Sequence, residues 1–152
     1  MNGNFVYFLI AAVAVYGLLV YVFPRVKRLL RGRDVVYIDP KVLQEKMAKK
    51  EDMLLIDIRT PSEFYNMFGH IDGAINLPFK EFMIRINETA DRLAGFKNIP
   101  VVIIGLRDEN NVFKAYQNLK RKGFSDVSIL NYGVSQWLRQ GLPTVERNVR
   151  KV

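Results

Sequence analysis

Hydrophobic positions along this chain fall into three patterns: one long unbroken run, several short β-branched runs, and stripes at helical spacing. The unbroken run comes first. From Phe5 to Phe23, nineteen residues pass without a charged or strongly polar side chain. Wound as one α-helix they would extend about 28 Å, close to a bilayer hydrocarbon core of about 30 Å. The run therefore predicts a single-pass transmembrane helix over 5–23, with the lipid bilayer as its partner. It is apolar all round, which argues against an amphipathic anchor lying in the membrane plane. Tyr7 and Tyr21 fall near its ends, where amphipathic rings favour the interface.

Beyond it, strands and helices alternate. Val35 to Ile38 reads as a short strand ending at Asp39-Pro40, where Asp can cap and Pro can open a helix over Lys41 to Lys49. Met53 to Ile58 and Val101 to Ile104 are almost continuously apolar, the mark of strands covered on both faces of a parallel sheet. Thr60-Pro61-Ser62-Glu63 opens a helical turn carrying Phe64, Tyr65 and Phe68, and Ala74 to Leu77 is a further short strand. Phe79, Phe82, Met83, Ile86, Ala90 and Leu93 recur at steps of three and four, an amphipathic helix whose stripe faces the core. Asn110 or Asn111 is placed to cap a helix that turns Val112, Phe113, Tyr116 and Leu119 inward and stops at Gly123. Val127 to Leu130 and a helix from Val134 to Arg139 complete the alternation, with Trp137 expected in the core. Helices separating buried strands predict an α/β sheet covered on both sides.

Charge changes this picture only at its edge. The formal charge of +8 suggests nucleic acid until it is divided along the chain. Arg25, Lys27, Arg28, Arg31 and Arg33 follow the apolar run with no acid among them, leaving eighteen basic against fifteen acidic residues from 34 onward. The nearly balanced body gives no reason to expect nucleic acid as a partner, and the five basic residues suit anionic headgroups. By the positive-inside rule they place the following domain in the cytoplasm and the N-terminus outside. A short N-terminal tail without a transit peptide fits a bacterial inner membrane. The expected organisation is a transmembrane helix over 5–23, a basic juxtamembrane linker over 24–34, a domain over 35–145 and a flexible tail over 146–152.

Ligand sites in α/β sheets form beyond the carboxyl ends of the strands. Two places qualify: Asp57-Ile58-Arg59 after the first long strand, and Gly105 to Asn111 after the second. Asp57-Ile-Arg-Thr-Pro-Ser-Glu-Phe-Tyr, then Gly69-His-Ile-Asp-Gly-Ala-Ile-Asn-Leu-Pro78, then the second buried strand with its loop, Lys122-Gly-Phe, Ile129 to Gly133 and Trp137 to Pro143 resemble a rhodanese (sulfurtransferase) domain. The resemblance covers about residues 35–145 and implies a mostly parallel five-stranded sheet with helices on both faces. Active members carry a cysteine that opens the loop after the second buried strand. Its thiolate is stabilised by backbone amides and the helix dipole and becomes a persulfide.

This chain contains no cysteine. Matching Lys114 and Ala115 to the family's helix puts Leu106 at the cysteine position, in a loop that reads Leu106-Arg107-Asp108-Glu109-Asn110-Asn111-Val112. Glu109 stands where a glycine belongs, Asn111 where an arginine belongs, and Val112 where a hydroxyl residue belongs. A shift of one residue brings Gly105 or Arg107 to the cysteine position instead. Asp108 and Glu109 suit the capping of a helix N-terminus and would repel an anion such as thiosulfate. The resemblance therefore predicts a domain without catalytic residues, not an enzyme, that binds another protein at the membrane.

Other chemistry finds less support. Asp57, Arg59 and Glu63 read as a local polar network with an Arg59–Glu63 ion pair, and His70, in the matched segment ending at Gly73, as a turn-ordering hydrogen bonder. A hydrolase built on Asp57, Asp72 and His70 lacks metal-ligand spacing, so no metal is expected, and the absence of a Gly-rich phosphate loop leaves no cofactor to expect. The expected role is a scaffold for a membrane or membrane-associated protein, contacted through Asp108, Glu109, Asn110, Tyr65, Met67 and Tyr132. The competing reading is a sulfurtransferase accessory that works on a partner's thiol; small-ligand sensing in the vestigial pocket is a third.

Overall fold

A computed structural model describes residues 3–22, 26, 34–89, 92 and 94–145. The chain divides into two units that meet between Val35 and Val36. In the first, α1 runs over Gly3–Gly17, and the winding then changes to a π-helical turn over Leu18–Val22. Ile10, Val13, Tyr16 and Leu19 are exposed. The single spanning helix expected over 5–23 is not found: among the described residues no helix is long and apolar enough to cross a membrane. The fifteen residues of α1 extend about 22 Å, short of a hydrocarbon core of about 30 Å, before the α-helical ladder gives way. The five basic residues of the expected linker and the tail from 146 lie outside the described residues.

The second unit is built on a five-stranded sheet of β1 (Tyr37–Ile38), β2 (Leu54–Asp57), β3 (Ile75–Asn76), β4 (Val101–Ile104) and β5 (Val127–Leu130), in the order β1-β5-β4-β2-β3. Every pairing is parallel, so all the carboxyl ends lie on one side. The two long runs recognised by composition, β2 and β4, are central neighbours, in register from Leu54↔Val101 to Asp57↔Ile104. Helices take both faces. Leu55 of β2, Val102 and Ile104 of β4 and Leu130 of β5 pack with Leu43 of α2 (Pro40–Ala48) and Val134 and Trp137 of α6 (Gly133–Arg139). The alternate residues Ile56, Ile103 and Ile129 face the other way, toward α4 (Phe79–Thr89) and α5 (Asn110–Arg121), which bury Phe82, Ile86, Val112, Tyr116 and Leu119.

Local signals set most of the element ends. Asp39 caps α2 by accepting from the Lys41 N–H at 2.9 Å, with Pro40 in the first turn as expected. The edge strands are shorter than their hydrophobic runs: β1 begins at Tyr37, and Val36 is exposed. An edge position has a neighbour on one side only, so β-branched composition there does not guarantee pairing. Of the amphipathic stripe from Phe79, Ala90 and Leu93 lie outside the described residues.

Candidate functional site

The loop after β2 is held by a buried ion pair. Arg59 folds back on Asp57, its Nε donating to both carboxylate oxygens at 3.0 Å and its Nη2 to Oδ2 at 2.7 Å. Both side chains are almost fully buried. The remaining guanidinium donors reach the Glu63 and Gly69 carbonyl oxygens, each at 3.2 Å. Asn76 of β3 closes the network from the other side, donating through Nδ2 to the Asp57 and Arg59 carbonyls at 3.1 and 2.9 Å. The planar guanidinium suits this because it offers five donors in a fixed fork, and here they tie three chain segments together.

The expected Arg59–Glu63 ion pair is corrected. Glu63 turns its carboxylate away to Thr60, accepting from the Thr60 N–H at 2.9 Å and from its hydroxyl at 2.7 Å. Thr60 and Glu63 thereby form a capping box at the start of α3 (Pro61–Phe64). The Thr60 hydroxyl, then the Thr60 amide, hold the Glu63 carboxyl below the usual carboxylate range. Only Phe64 of the three aromatic residues in this stretch is buried; Tyr65 and Phe68 face solvent, as does Met67. His70 lies flat on Phe64, ring centroids 3.8 Å apart, with Nδ1 3.2 Å from the Phe64 carbonyl oxygen. Its backbone pairs with Val145 through two hydrogen bonds of 3.1 and 2.8 Å, and this antiparallel bridge crosses close over Gly69. Gly69 and Gly73 both adopt positive φ.

The loop after β4 is tight and closed. Gly105 is buried whereas Leu106 is 38% exposed, so Gly105 is the residue facing the inside of the loop. A β-carbon at Gly105 would collide with Cγ2 of Val112 and come within 3.2 Å of the Arg107 carbonyl oxygen. The interior of the loop is thus filled by the valine at the third residue of α5. The far side is sealed by the start of α6. Val134 and Ser135 donate their N–H groups to the Gly105 and Leu106 carbonyls at 2.9 and 3.0 Å. Gly133, at φ +56°, has no room for a β-carbon, which would lie 2.8 Å from the Leu106 carbonyl oxygen.

Two capping expectations change here. Helix α5 begins at Asn110 with Glu109 in the N-cap position, and Glu109 makes no side-chain capping bond. Asp108 instead crosses to the other loop of this end and accepts from the Tyr132 N–H at 2.9 Å. That bond holds Tyr132 in a left-handed conformation at φ +53°, immediately before Gly133. Arg107, Glu109, Asn110 and Asn111 are exposed.

Sequence reasoning found Asp57, Arg59, Glu63, His70 and Gly73 by motif, and the structure brings Asp57, Arg59 and the backbone of Glu63 together. It missed Asn76 and Gly133 as individual residues. Both lie inside the matched segments, and the signal that could have singled out Asn76 is a polar residue in an apolar strand.

The chain matches the rhodanese-like domain over residues 39–140. It is 36% identical over 109 residues to a sulfurtransferase of Allochromatium vinosum, covering 71% of this chain and 92% of that protein. It is also 31% identical over 103 residues to the uncharacterised protein YibN of Escherichia coli, covering 66% of each. Among solved structures, the rhodanese-like domain of the Anabaena protein Alr3790 superposes with a TM-score of 0.60 at 25% identity, covering 76% of this chain and 83% of that one. With the sheet order, the two loops and these likenesses together, the chain belongs to the rhodanese-like domain family.

Proposed function

We propose that this chain is a non-catalytic rhodanese-like domain that binds another protein at a membrane. One observation carries the reading: the inward-facing residue of the β4 loop is Gly105, and the space a side chain would enter from it is occupied by Val112. Neither Gly105 nor Leu106, the two residues that open the loop, supplies a sulfur atom. A persulfide needs a sulfur atom on the chain and open space around it for donated amide hydrogens. This chain has no cysteine, and the loop's interior holds a valine methyl. Asp108 and Glu109 add negative charge where an anionic sulfur donor would approach.

What remains at this end of the sheet suits recognition. Met67, Phe68 and Tyr132 are exposed large side chains on a rigid frame, and Arg107, Glu109 and Asn110 are exposed polar ones. Aromatic residues and methionine on preorganised loops are the usual anchors of protein interfaces. The N-terminal unit supports attachment to a bilayer on physical grounds, since exposed apolar side chains from Ile10 to Val22 favour a hydrocarbon surrounding over water. The basic residues from Arg25 to Arg33 favour an anionic headgroup surface. Tethering raises the local concentration of the domain, so weak contacts suffice.

A thiosulfate:cyanide sulfurtransferase assay on the full chain tests the first part. No turnover above background is expected, and turnover like that of a cysteine-bearing member would overturn it. A photocrosslinker placed at Met67 or Glu109 in native membranes tests the second, where capture of the same protein from both positions is expected and its absence refutes the binding face. The likeness to a sulfurtransferase supports one further reading, in which the domain holds a partner's persulfide without forming its own. Protection of a partner's persulfide by the full chain would distinguish it.

A further inference from the structure

The opposite end of the sheet carries a groove that the reading above does not use. Seven residues line about 500 Å³: Asp52, Met53 and Leu54 before and in β2, Phe96 and Ile99 before β4, Val101, and Phe124 before β5. All but Asp52 are apolar, and Phe96 is 57% exposed. Because every strand pairing is parallel, with Leu54, Val101 and Val127 in register, these segments all lie at the amino ends of the strands.

Basic side chains gather at the same end. Lys49 and Lys50 follow α2, and Lys120, Arg121 and Lys122 close α5. Lys97 lies beside Gly123, its carbonyl accepting from the Ser125 N–H at 2.9 Å. Asp52 and Asp126 lie at the same end, while Lys46 and Glu51 pair with each other at 2.7 Å. The chain also joins the unit here. The carbonyl of Val36, the residue before β1, accepts from the N–H of Ile129, the third residue of β5. Val36, the first residue of this unit, precedes β1 on the amino side of the sheet.

We propose that the strand-amino end of the sheet is a lipid-contact face, with Phe96 entering the interfacial layer of an anionic bilayer and the surrounding lysines meeting its headgroups. The proposal rests on membrane attachment through the N-terminal unit and adds an orientation to it. Charge decides for lipid over a protein partner: an exposed aromatic residue at an end of the sheet that carries excess positive charge is the pattern of interfacial contact. A tethered domain needs only a weak additional contact to hold one orientation. That orientation turns the β4 loop and Met67 away from the bilayer, toward a partner.

Since the chain has no cysteine, single-cysteine labelling needs no background substitutions. Full chain carrying Phe96→Cys or Asn110→Cys, each with an environment-sensitive fluorophore, is reconstituted into phosphatidylcholine vesicles with or without phosphatidylglycerol. The expected result is a blue shift and quenching by brominated lipid at 96, dependent on the anionic lipid, with the label at 110 remaining aqueous. Replacing Lys49, Lys50 and Lys97 by glutamine lowers the contact population about fivefold per lysine. Chain that floats with vesicles while position 96 stays aqueous overturns the lipid-contact face alone. Protection of 96 in native membranes but in neither vesicle type assigns the groove to a protein and overturns it likewise. Failure to float with either vesicle type overturns the attachment itself and this proposal with it.

Discussion

The loops after β2 and β4 leave the sheet side by side, from the paired residues Asp57 and Ile104, and they are built from opposite materials. In the β2 loop, polar side chains hold the structure: Arg59 and Asp57 form a buried ion pair, and Arg59 and Asn76 together donate to four backbone carbonyls. In the β4 loop, Asp108 alone among the charged side chains has a structural bond to the neighbouring loop, and the interior is filled by a valine. Family motif is therefore strongest where it serves the fold. The β4 loop, by contrast, offers no cysteine. A buried ion network cannot lose one member without stranding the others, whereas a cradle for a reactive sulfur can be filled by any side chain of suitable volume.

The contrast can be broken by measurement. Arg59→Ala leaves the Asp57 carboxylate buried without its partner and is expected to cost about 3–5 kcal/mol in urea unfolding. A loss under 1 kcal/mol would mean that the β2 network is dispensable and the contrast false. Gly105→Ala drives a methyl group into Val112 and is expected to cost about 1–3 kcal/mol. Combined with Val112→Ala, it should cost clearly less than the two single losses together, because the methyl then enters the vacated space. Strict additivity would show that Val112 does not fill the loop.

Smaller effects sharpen the same point. Thr60→Ala removes the capping box and should cost about 1 kcal/mol. Because the Thr60 bonds lower the Glu63 pKa, their contribution is present above the ordinary carboxylate value and fades as pH falls through and below it. Wild type should therefore lose its advantage over Thr60→Ala on acidification; an advantage that grows at low pH would contradict the assigned bonds. Glu109→Ala, at a cap position without a capping bond, should change stability by no more than about 0.5 kcal/mol. A loss comparable to Thr60→Ala would show that the β4 loop is also held by its charges.

How far the residues alone reached depends on the range of the forces involved. The two central strands were legible because burial on both faces leaves an unbroken apolar run, and the Asp39-Pro40 and Thr60 to Glu63 starts because capping acts within four residues. Arg59 was assigned to Glu63, four residues on, although its carboxylate partner is two residues back, and Glu63 already had Thr60 within reach. The composition of the apolar run over 5–23 predicts one helix and does not report the change of winding at Leu18.

The missing cysteine, the alternation of strands and helices, and the family segments were all determined by residue identity and local spacing. Packing between distant segments decided the rest. That Gly105 faces inward, that Val112 fills the space before it and that Gly133 approaches closely enough to close the loop depend on β4, α5 and α6 being set side by side. The excess of lysine at the strand-amino end has the same origin, because parallel pairing collects side chains from Lys49 to Lys122 on one face. Propensity and capping act within a turn or two of chain, whereas a steric fit or a collected charge exists only after the chain has brought its remote parts into contact.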